Sequence, residues 1–207
     1  MTRNVVERTK GVANKGPSAP RFIVGRRVKA AFFWCVCGLF ALLAGYQTHK
    51  RLQANRLRAR AHMRPLVRSA EAPLVTARQW PGEGQVALAP QEGKWALVHF
   101  WATWCAVCRA EMPSLRHLQT RLGNQLTVLA VAVDADTSSM EEFFADSRPS
   151  MRILLDPKRQ ASDRYGVRRF PESFLVSPQG RIRVRFSGPR DWSSALAAGY
   201  LQDVMRQ

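Results

Sequence analysis

The segment Val98–Pro113, with the sequence VHFWATWCAVCRAEMP, places two cysteines three positions apart after an apolar run. The run Ala96–Trp101 is typical of a buried strand, and the pattern of Cys105–Leu122 predicts a helix. Cys105 would then lie at the helix N-terminus, where unpaired N–H groups and the helix dipole favour an anion. Because these conditions lower the pKa of a thiol, we expect Cys105 to attack as a thiolate and Cys108 to resolve the mixed disulfide.

The sequence gives less support to other functions of the cysteines. A Cys-x-x-Cys pair is also half of a zinc site, but zinc needs two further ligands, and the four histidines offer no second pair at suitable spacing. Four cysteines in 207 residues do not make a disulfide scaffold. Cys35 and Cys37 would point to opposite sides of a helix, so we expect no bond between them. We therefore expect redox chemistry and no metal site.

The net charge of +17 is concentrated in the N-terminal third. Residues 1–70 contain 15 Lys/Arg and one acid, whereas residues 71–207 contain 17 Lys/Arg and 14 acids. Residues 1–29 are basic and rich in Gly, Pro, Ser and Asn, which predicts a disordered tail. We do not expect nucleic-acid binding, because no interleaved aromatic residues or recognition motif accompany the charge.

Ala30–Tyr46 is an uncharged run of 17 residues. As a helix it would be roughly 26 Å long, near the lower limit for crossing a bilayer, so we predict a transmembrane anchor. A cleaved signal peptide is the alternative. The basic linker 47–72 would lie along anionic headgroups or form a solvated spacer. Basic residues on both sides of the run leave its orientation open.

Residues 73–207 alternate between strand and helix patterns, which predicts an α/β domain with helices on both faces of the sheet. A returning hairpin near the C-terminus, Ser173–Ser177 and Arg181–Phe186, makes the predicted sheet mixed. Asp134 and Asp136 follow a strand and are interpreted as solvated loop residues rather than as a cation site.

Two segments resemble thioredoxin-like proteins, and most closely the membrane-anchored TlpA/ResA/DsbE branch with its copper-sensitivity-suppressor members. Val98–Pro113 is similar to their active-site segment, including the helix-kinking Pro113. Tyr165–Val176, YGVRRFPESFLV, is similar to their cis-proline loop. The resemblance implies a cis Phe170–Pro171 bond that faces the disulfide and a backbone that pairs with the substrate.

The resemblance also implies a thioredoxin-like mixed sheet with an added strand and helix at about residues 134–155. The expected activity is thiol–disulfide exchange with protein substrates through Cys105 and Cys108, without a further cofactor. The domain would face the bacterial periplasm from a single-pass inner-membrane anchor, with residues 1–29 in the cytoplasm and electrons supplied by a membrane donor. A reductase is the first hypothesis. A dithiol oxidase and a non-catalytic copper-binding or copper-delivery protein are the alternatives.

Two further residues, His99 and Glu172, each have two interpretations, and Trp104 has a supporting role. His99 stands where thioredoxin has a buried acid, so it is either a proton relay or a core histidine bonded to the backbone. Glu172, beside Pro171, either tunes the thiols and meets a partner or is a solvated loop charge. Trp104, just before Cys105, is expected to shield one side of the reactive sulfur.

Overall fold

The computed structural model describes residues 26–63, 65–90, 93–134, 137–145 and 149–207, and the chain divides into two compact units between Thr48 and His49. Positions 1–25 of the predicted disordered tail lie outside the described residues. Five helices and eight strands follow along the described chain. Their bounds are α1 Arg26–Met63, β1 Leu66–Glu71, β2 Thr76–Trp80, β3 Gln85–Ala87, β4 Trp95–Trp101, α2 Ala106–Leu122, β5 Leu126–Ala132, α3 Ser138–Phe143, β6 Arg152–Leu155, α4 Gln160–Arg164, β7 Glu172–Val176, β8 Arg181–Ser187 and α5 Ala195–Met205.

Helix α1 is longer than the predicted anchor. It begins before Ala30 and continues through the basic segment to Met63, whose side chain is buried. Leu, Ala, Gln and Arg dominate positions 51–61, and these residues have high helix propensity. Large apolar side chains between Phe33 and Tyr46 are exposed. In the described part of the chain, no helix is both long enough and apolar enough to cross a membrane.

One mixed sheet of eight strands organises the second unit, in the order β1-β8-β7-β4-β5-β6-β2-β3. β4 runs parallel to β5, and β5 runs parallel to β6. The other neighbouring pairs are antiparallel. The helix and strand expected at about residues 134–155 are α3 and β6.

The sheet begins earlier in the sequence than the predicted domain start at residue 73. Leu66–Glu71 lies within the segment assigned to the basic linker, yet it forms the edge strand β1. It pairs antiparallel with β8, with Leu66 opposite Arg185 and Glu71 opposite Arg181. Pairing explains the difference, because β8 would otherwise leave a row of backbone N–H and C=O groups unpaired at the edge.

The two faces of β4 enter different cores. Leu97 and Trp101 pack in one core with apolar residues of α2 and α5, whereas Val98 and Phe100 pack in the other with residues of α4. Successive strand residues alternate between faces, so His99 lies on the same face as Leu97 and Trp101. The sheet thus directs His99 toward the side covered by α2.

Candidate active site

The cysteine pair lies where β4 leads into α2. Cys105 and Cys108 form a disulfide, with their Cα atoms 5.2 Å apart. Cys105 is the N-cap of α2, and its Sγ accepts a hydrogen bond from the backbone N–H of Cys108 at 3.3 Å. Cys105 is 9% exposed, whereas Cys108 is fully buried. A partner can therefore reach the first sulfur of the pair and not the second.

Asp134 holds the loop that precedes Cys105. Both of its carboxylate oxygens accept from the backbone N–H of Thr103 at 3.1 Å, and one also accepts from the Thr103 hydroxyl. Asp134 is buried, so the prediction that it is a solvated loop residue is wrong. Because β5 runs parallel to β4, its end brings Asp134 beside the start of the active-site loop. Asp136 lies outside the described residues.

An apolar surface surrounds Cys105. Trp104 is 68% exposed, Val107 is 49% exposed and Phe170 is half-buried. The rings of Trp104 and Phe170 meet edge to face, with centroids 5.9 Å apart. We call Trp104, Val107 and Phe170 the apolar platform. The fold thus brings Trp104 from the first predicted segment against Phe170 from the second, although 66 residues separate them in the chain.

Pro171 follows the platform residue Phe170, and the peptide bond between them is cis. Pro171 is buried, and its carbonyl accepts from the backbone N–H of Gly188 at 2.9 Å. The loop is thereby attached to the end of β8. It presents the backbone before Pro171 next to the residues that flank Cys105.

Glu172 is buried, and the alternative of a solvated loop charge is wrong for it. Its Oε1 accepts from Nε of Arg185 at 2.9 Å, and its Oε2 lies 3.4 Å from the backbone nitrogen of Arg168. Arg185 also donates to the carbonyl of Gly166 at 3.1 Å. The pair of Glu172 and Arg185 therefore holds the Gly166–Pro171 loop by hydrogen bonds to its backbone.

His99 is fully buried in β4. Its Nδ1 lies 2.9 Å from the hydroxyl oxygen of Ser173, the residue opposite it in β7. Its Nε2 is buried and has no hydrogen-bond partner among the described residues. Burial lowers the pKa of His99 to about 3, so the ring is neutral at physiological pH. The core-histidine alternative supposed a hydrogen bond to the backbone, whereas the observed bond is to a side chain.

Glu111 was not singled out by its sequence position, although it lies one helical turn after Cys108. It is buried in α2, where one carboxylate oxygen accepts from the indole N–H of Trp192 and from the backbone N–H of Arg190. The other oxygen has no partner within the described residues. Burial raises the pKa of Glu111 to about 8 against the opposing effect of these contacts. A buried acid beside the resolving cysteine is thus part of the site.

Arg190 connects three parts of the site. Its Nε donates to the carbonyl of Met63, the last residue of α1, at 2.8 Å. Its backbone N–H donates to Glu111, and its guanidinium also donates to the carbonyl of Gly188. Because Gly188 is bonded to Pro171, the end of α1, the active-site helix and the cis-proline loop share one hydrogen-bonded network.

Metal ligands do not gather in the described ranges. No group of three or more His, Cys, Asp or Glu side chains there is arranged to hold an ion. Cys35 and Cys37 are free and exposed on α1, and no bond joins them.

The chain is similar to proteins whose names describe thiol–disulfide exchange. The thiol-disulfide oxidoreductase ResA of Oceanobacillus iheyensis is 27% identical over 126 residues, which are 60% of this chain and 65% of that protein. The thiol:disulfide interchange protein HelX of Rhodobacter capsulatus is 34% identical over 121 residues, 58% of this chain and 67% of that protein. The chain thus spans about two thirds of the length of these curated relatives.

A solved structure supports the same assignment. The protein described as thiol:disulfide interchange protein DsbE from Chlorobium tepidum aligns with a TM-score of 0.61 at 27% identity, over 68% of this chain and 99% of that one. This likeness confirms the thioredoxin-like α/β fold with a mixed sheet. The relatives' names describe thiol–disulfide exchange, which is the class of activity that the sequence predicts. The model of the AhpC/TSA family matches residues 69–185, more than half of the chain, which therefore belongs to the AhpC/TSA family of thioredoxin-like proteins.

Proposed function

We propose that this chain is a periplasmic protein-disulfide reductase tethered to the bacterial inner membrane. The observation that carries the proposal is the unequal access to the two sulfurs at the start of α2. Cys105 is accessible beside the apolar platform, whereas Cys108 is fully buried. This is the arrangement that a two-step exchange with another protein requires.

The exchange would run as follows. The thiolate of reduced Cys105 attacks one sulfur of a substrate disulfide, and the other substrate sulfur leaves as a thiolate that takes up a proton. The Cys108 thiol loses its proton and attacks the Sγ of Cys105, which releases the second substrate thiol. Two electrons pass to the substrate, and the Cys105–Cys108 disulfide forms. No further cofactor takes part in these steps.

His99 is proposed as the proton relay for the second step. It lies on the sheet face that α2 covers, and its Nδ1 is fixed by Ser173. When Nδ1 carries the ring proton, the unpartnered Nε2 is an acceptor inside the core. Burial keeps the ring neutral, so Nε2 can accept a hydrogen bond from a buried thiol, and because the low pKa disfavours a charged ring, the proton would be passed on in the same step.

Substrate binding is assigned to Trp104, Phe170 and Pro171, with Glu172 as a positioning residue. The exposed faces of Trp104 and Phe170 offer apolar contact beside the reactive sulfur. The backbone before Pro171 would pair with an extended substrate segment. The ion pair of Glu172 with Arg185 fixes that backbone and leaves the Glu172 carboxylate without a free charge for direct contact.

The membrane arrangement rests on the N-terminal sequence. Ala30–Tyr46 has no charge, and most of its described apolar side chains are exposed on α1. Placing them in lipid would remove this apolar surface from water. Residues 1–29 would then lie in the cytoplasm, and the linker would leave the domain near a membrane electron donor.

The redox state of the pair in cells tests the direction of electron flow. Cells are quenched with acid, and free thiols are labelled with a mass tag in a Cys35→Ser/Cys37→Ser background, so that only Cys105 and Cys108 are counted. A mostly reduced pair is expected for a reductase with a working donor. A pair that stays oxidised when the chain is expressed at its natural level would contradict the reductase assignment and favour the oxidase.

A further inference from the structure

We infer that the surface beside Cys105 selects protein segments whose reactive cysteine is flanked by acidic residues. The inference rests on the proposed exchange function and adds a substrate class to it. It concerns three arginines on the cis-proline side of the platform, Arg159, Arg168 and Arg169, which we call the cationic rim.

Two members of the rim precede the platform directly. Arg168 and Arg169 are exposed and adjacent in sequence to Phe170, whose ring contacts Trp104 beside Cys105. No carboxylate forms a salt bridge with either guanidinium in the described part of the chain. The two positive charges are therefore available to a bound partner.

The third member is held against the platform. The guanidinium of Arg159 lies over the Phe170 ring at 5.3 Å from its centroid. Arg159 is also the one non-glycine residue of the described chain with positive φ, at 58°. Such a conformation is unfavourable for a long side chain, and it is often kept at functional positions. Asp163 offsets part of this charge from 3.7 Å, so Arg159 contributes mainly through its stacking on Phe170.

Among the residues that the structure describes, the two buried acids near the rim do not cancel its charge. Glu172 is buried and paired with Arg185. Asp156 is buried, and its oxygens accept from the backbone N–H groups of Ala161 and Ser162. The cis-proline side of the site is thus apolar at its centre and positive at its edge, which favours a partner with carboxylates next to its cysteine.

Peptides with one intramolecular disulfide provide the test. Three peptides differ only in the two residues before the first cysteine, which are Glu, Gln or Lys. The full-length chain in detergent, with dithiothreitol as the reductant, reduces each peptide, and reduction by dithiothreitol alone is measured in parallel. We expect kcat/KM for the Glu peptide to exceed that for the Gln peptide by about fivefold at low salt, and the ratio to fall toward one at roughly 0.5 M salt.

Charge variants locate the preference. Arg169→Gln is expected to reduce the Glu-to-Gln ratio about threefold, and Arg169→Glu to turn the preference toward the Lys peptide. Arg121→Gln removes the same charge from the far end of α2 and should leave the ratio unchanged. Arg159→Asn, which tolerates positive φ, should also lower the ratio, to a smaller extent.

The peptide assay distinguishes a failure of the exchange function from a failure of the substrate preference. If no peptide is reduced faster than by dithiothreitol alone, the proposed exchange function is wrong, and the specificity is wrong with it. If all three peptides are reduced rapidly and equally, the exchange function stands and the inference is overturned. An unchanged preference in Arg169→Glu would also overturn it.

Discussion

Nε of Arg185 donates to Oε1 of Glu172 over 2.9 Å, in a pair whose acid is 1% exposed and whose base is 16% exposed. The pair joins β8 to the first residue of β7, immediately after Pro171. Arg185 also packs over the ring of Phe174, with its guanidinium carbon 5.5 Å from the centroid. The guanidinium of Arg185 is the counter-ion that compensates for the burial of this carboxylate.

Arg185→Gln is expected to destabilise the domain by about 3–5 kcal/mol, because it leaves Glu172 buried without its counter-ion. Urea unfolding at neutral pH measures the change. Arg206→Gln is the matched control, since Arg206 pairs with Asp203 on the surface and should cost about 0–1 kcal/mol. Equal effects of the two variants would show that the Glu172 pair is not isolated from solvent.

After reduction, Cys105 should react with iodoacetamide much faster than Cys108, because only Cys105 is accessible to the reagent. Peptide mass spectrometry after short exposures gives both rates. Free cysteine labelled in parallel gives the reference rate. Faster labelling of Cys108 would reverse the assigned roles of attacking and resolving sulfur.

Cys108→Ser should accumulate mixed disulfides with partner proteins, because the bond to Cys105 then lacks its internal attacker. Non-reducing electrophoresis of the variant expressed at its natural level would show bands that vanish on reduction. Cys105→Ser is the matched control and should form none of them. Identical band patterns for the two variants would argue against this exchange mechanism.

Glu111 should make stability fall as the pH rises. Its pKa is raised by burial to about 8, so folding favours the protonated acid, and this contribution is complete below the ordinary pKa of 4.5 and lost as pH rises through 8. Glu111→Gln should therefore gain stability relative to the wild type between pH 5 and pH 9, by on the order of a few kcal/mol. Urea unfolding of both proteins at these two pH values measures the difference. A difference that does not change with pH would exclude the raised pKa.

His99→Asn should lengthen the life of the mixed disulfide about tenfold or more if the ring relays the proton of Cys108. Rapid acid quenching during reduction of a peptide disulfide measures that lifetime. Ser173→Ala removes only the partner of Nδ1 and should have a smaller effect. An unchanged lifetime in His99→Asn would assign the ring to packing.

His99→Asn should also change how the stability of the domain depends on pH. Burial lowers the pKa of His99 to about 3, so the unfolded chain takes up a proton between pH 6.5 and 3 that the folded chain does not. This group therefore lowers stability as pH falls through that range, and His99→Asn should flatten the acid side of the stability profile.

Strong local patterns made most of the domain predictable. The apolar run of β4, the Cys-x-x-Cys motif and the Phe170–Pro171 loop each identified their elements without tertiary information. The edge strand β1 was missed because Leu66–Glu71 contains Arg68 and Glu71 and lacks a clear apolar alternation. Its pairing depends on the free edge of β8, which no local window of sequence contains.

The burial of three acids was not predicted, for a related reason. Asp134, Glu111 and Glu172 look like surface residues in a sequence, since acids are rarely buried unless they have partners. Their partners are far along the chain: Thr103 for Asp134, Trp192 for Glu111 and Arg185 for Glu172. The spacing after Cys108 was the one available sign for Glu111, because it places the acid one turn further along the same helix.

The complete burial of Cys108 sets the timing of each encounter. A captured partner is released by a sulfur that is already held one helical turn away, so release is a first-order event within the chain. Dissolved thiols cannot reach that sulfur, and they do not change its rate of attack. The rate of this internal release is therefore a property of the domain, and dissolved thiols can shorten the dwell time of a partner only by attacking the accessible mixed disulfide itself.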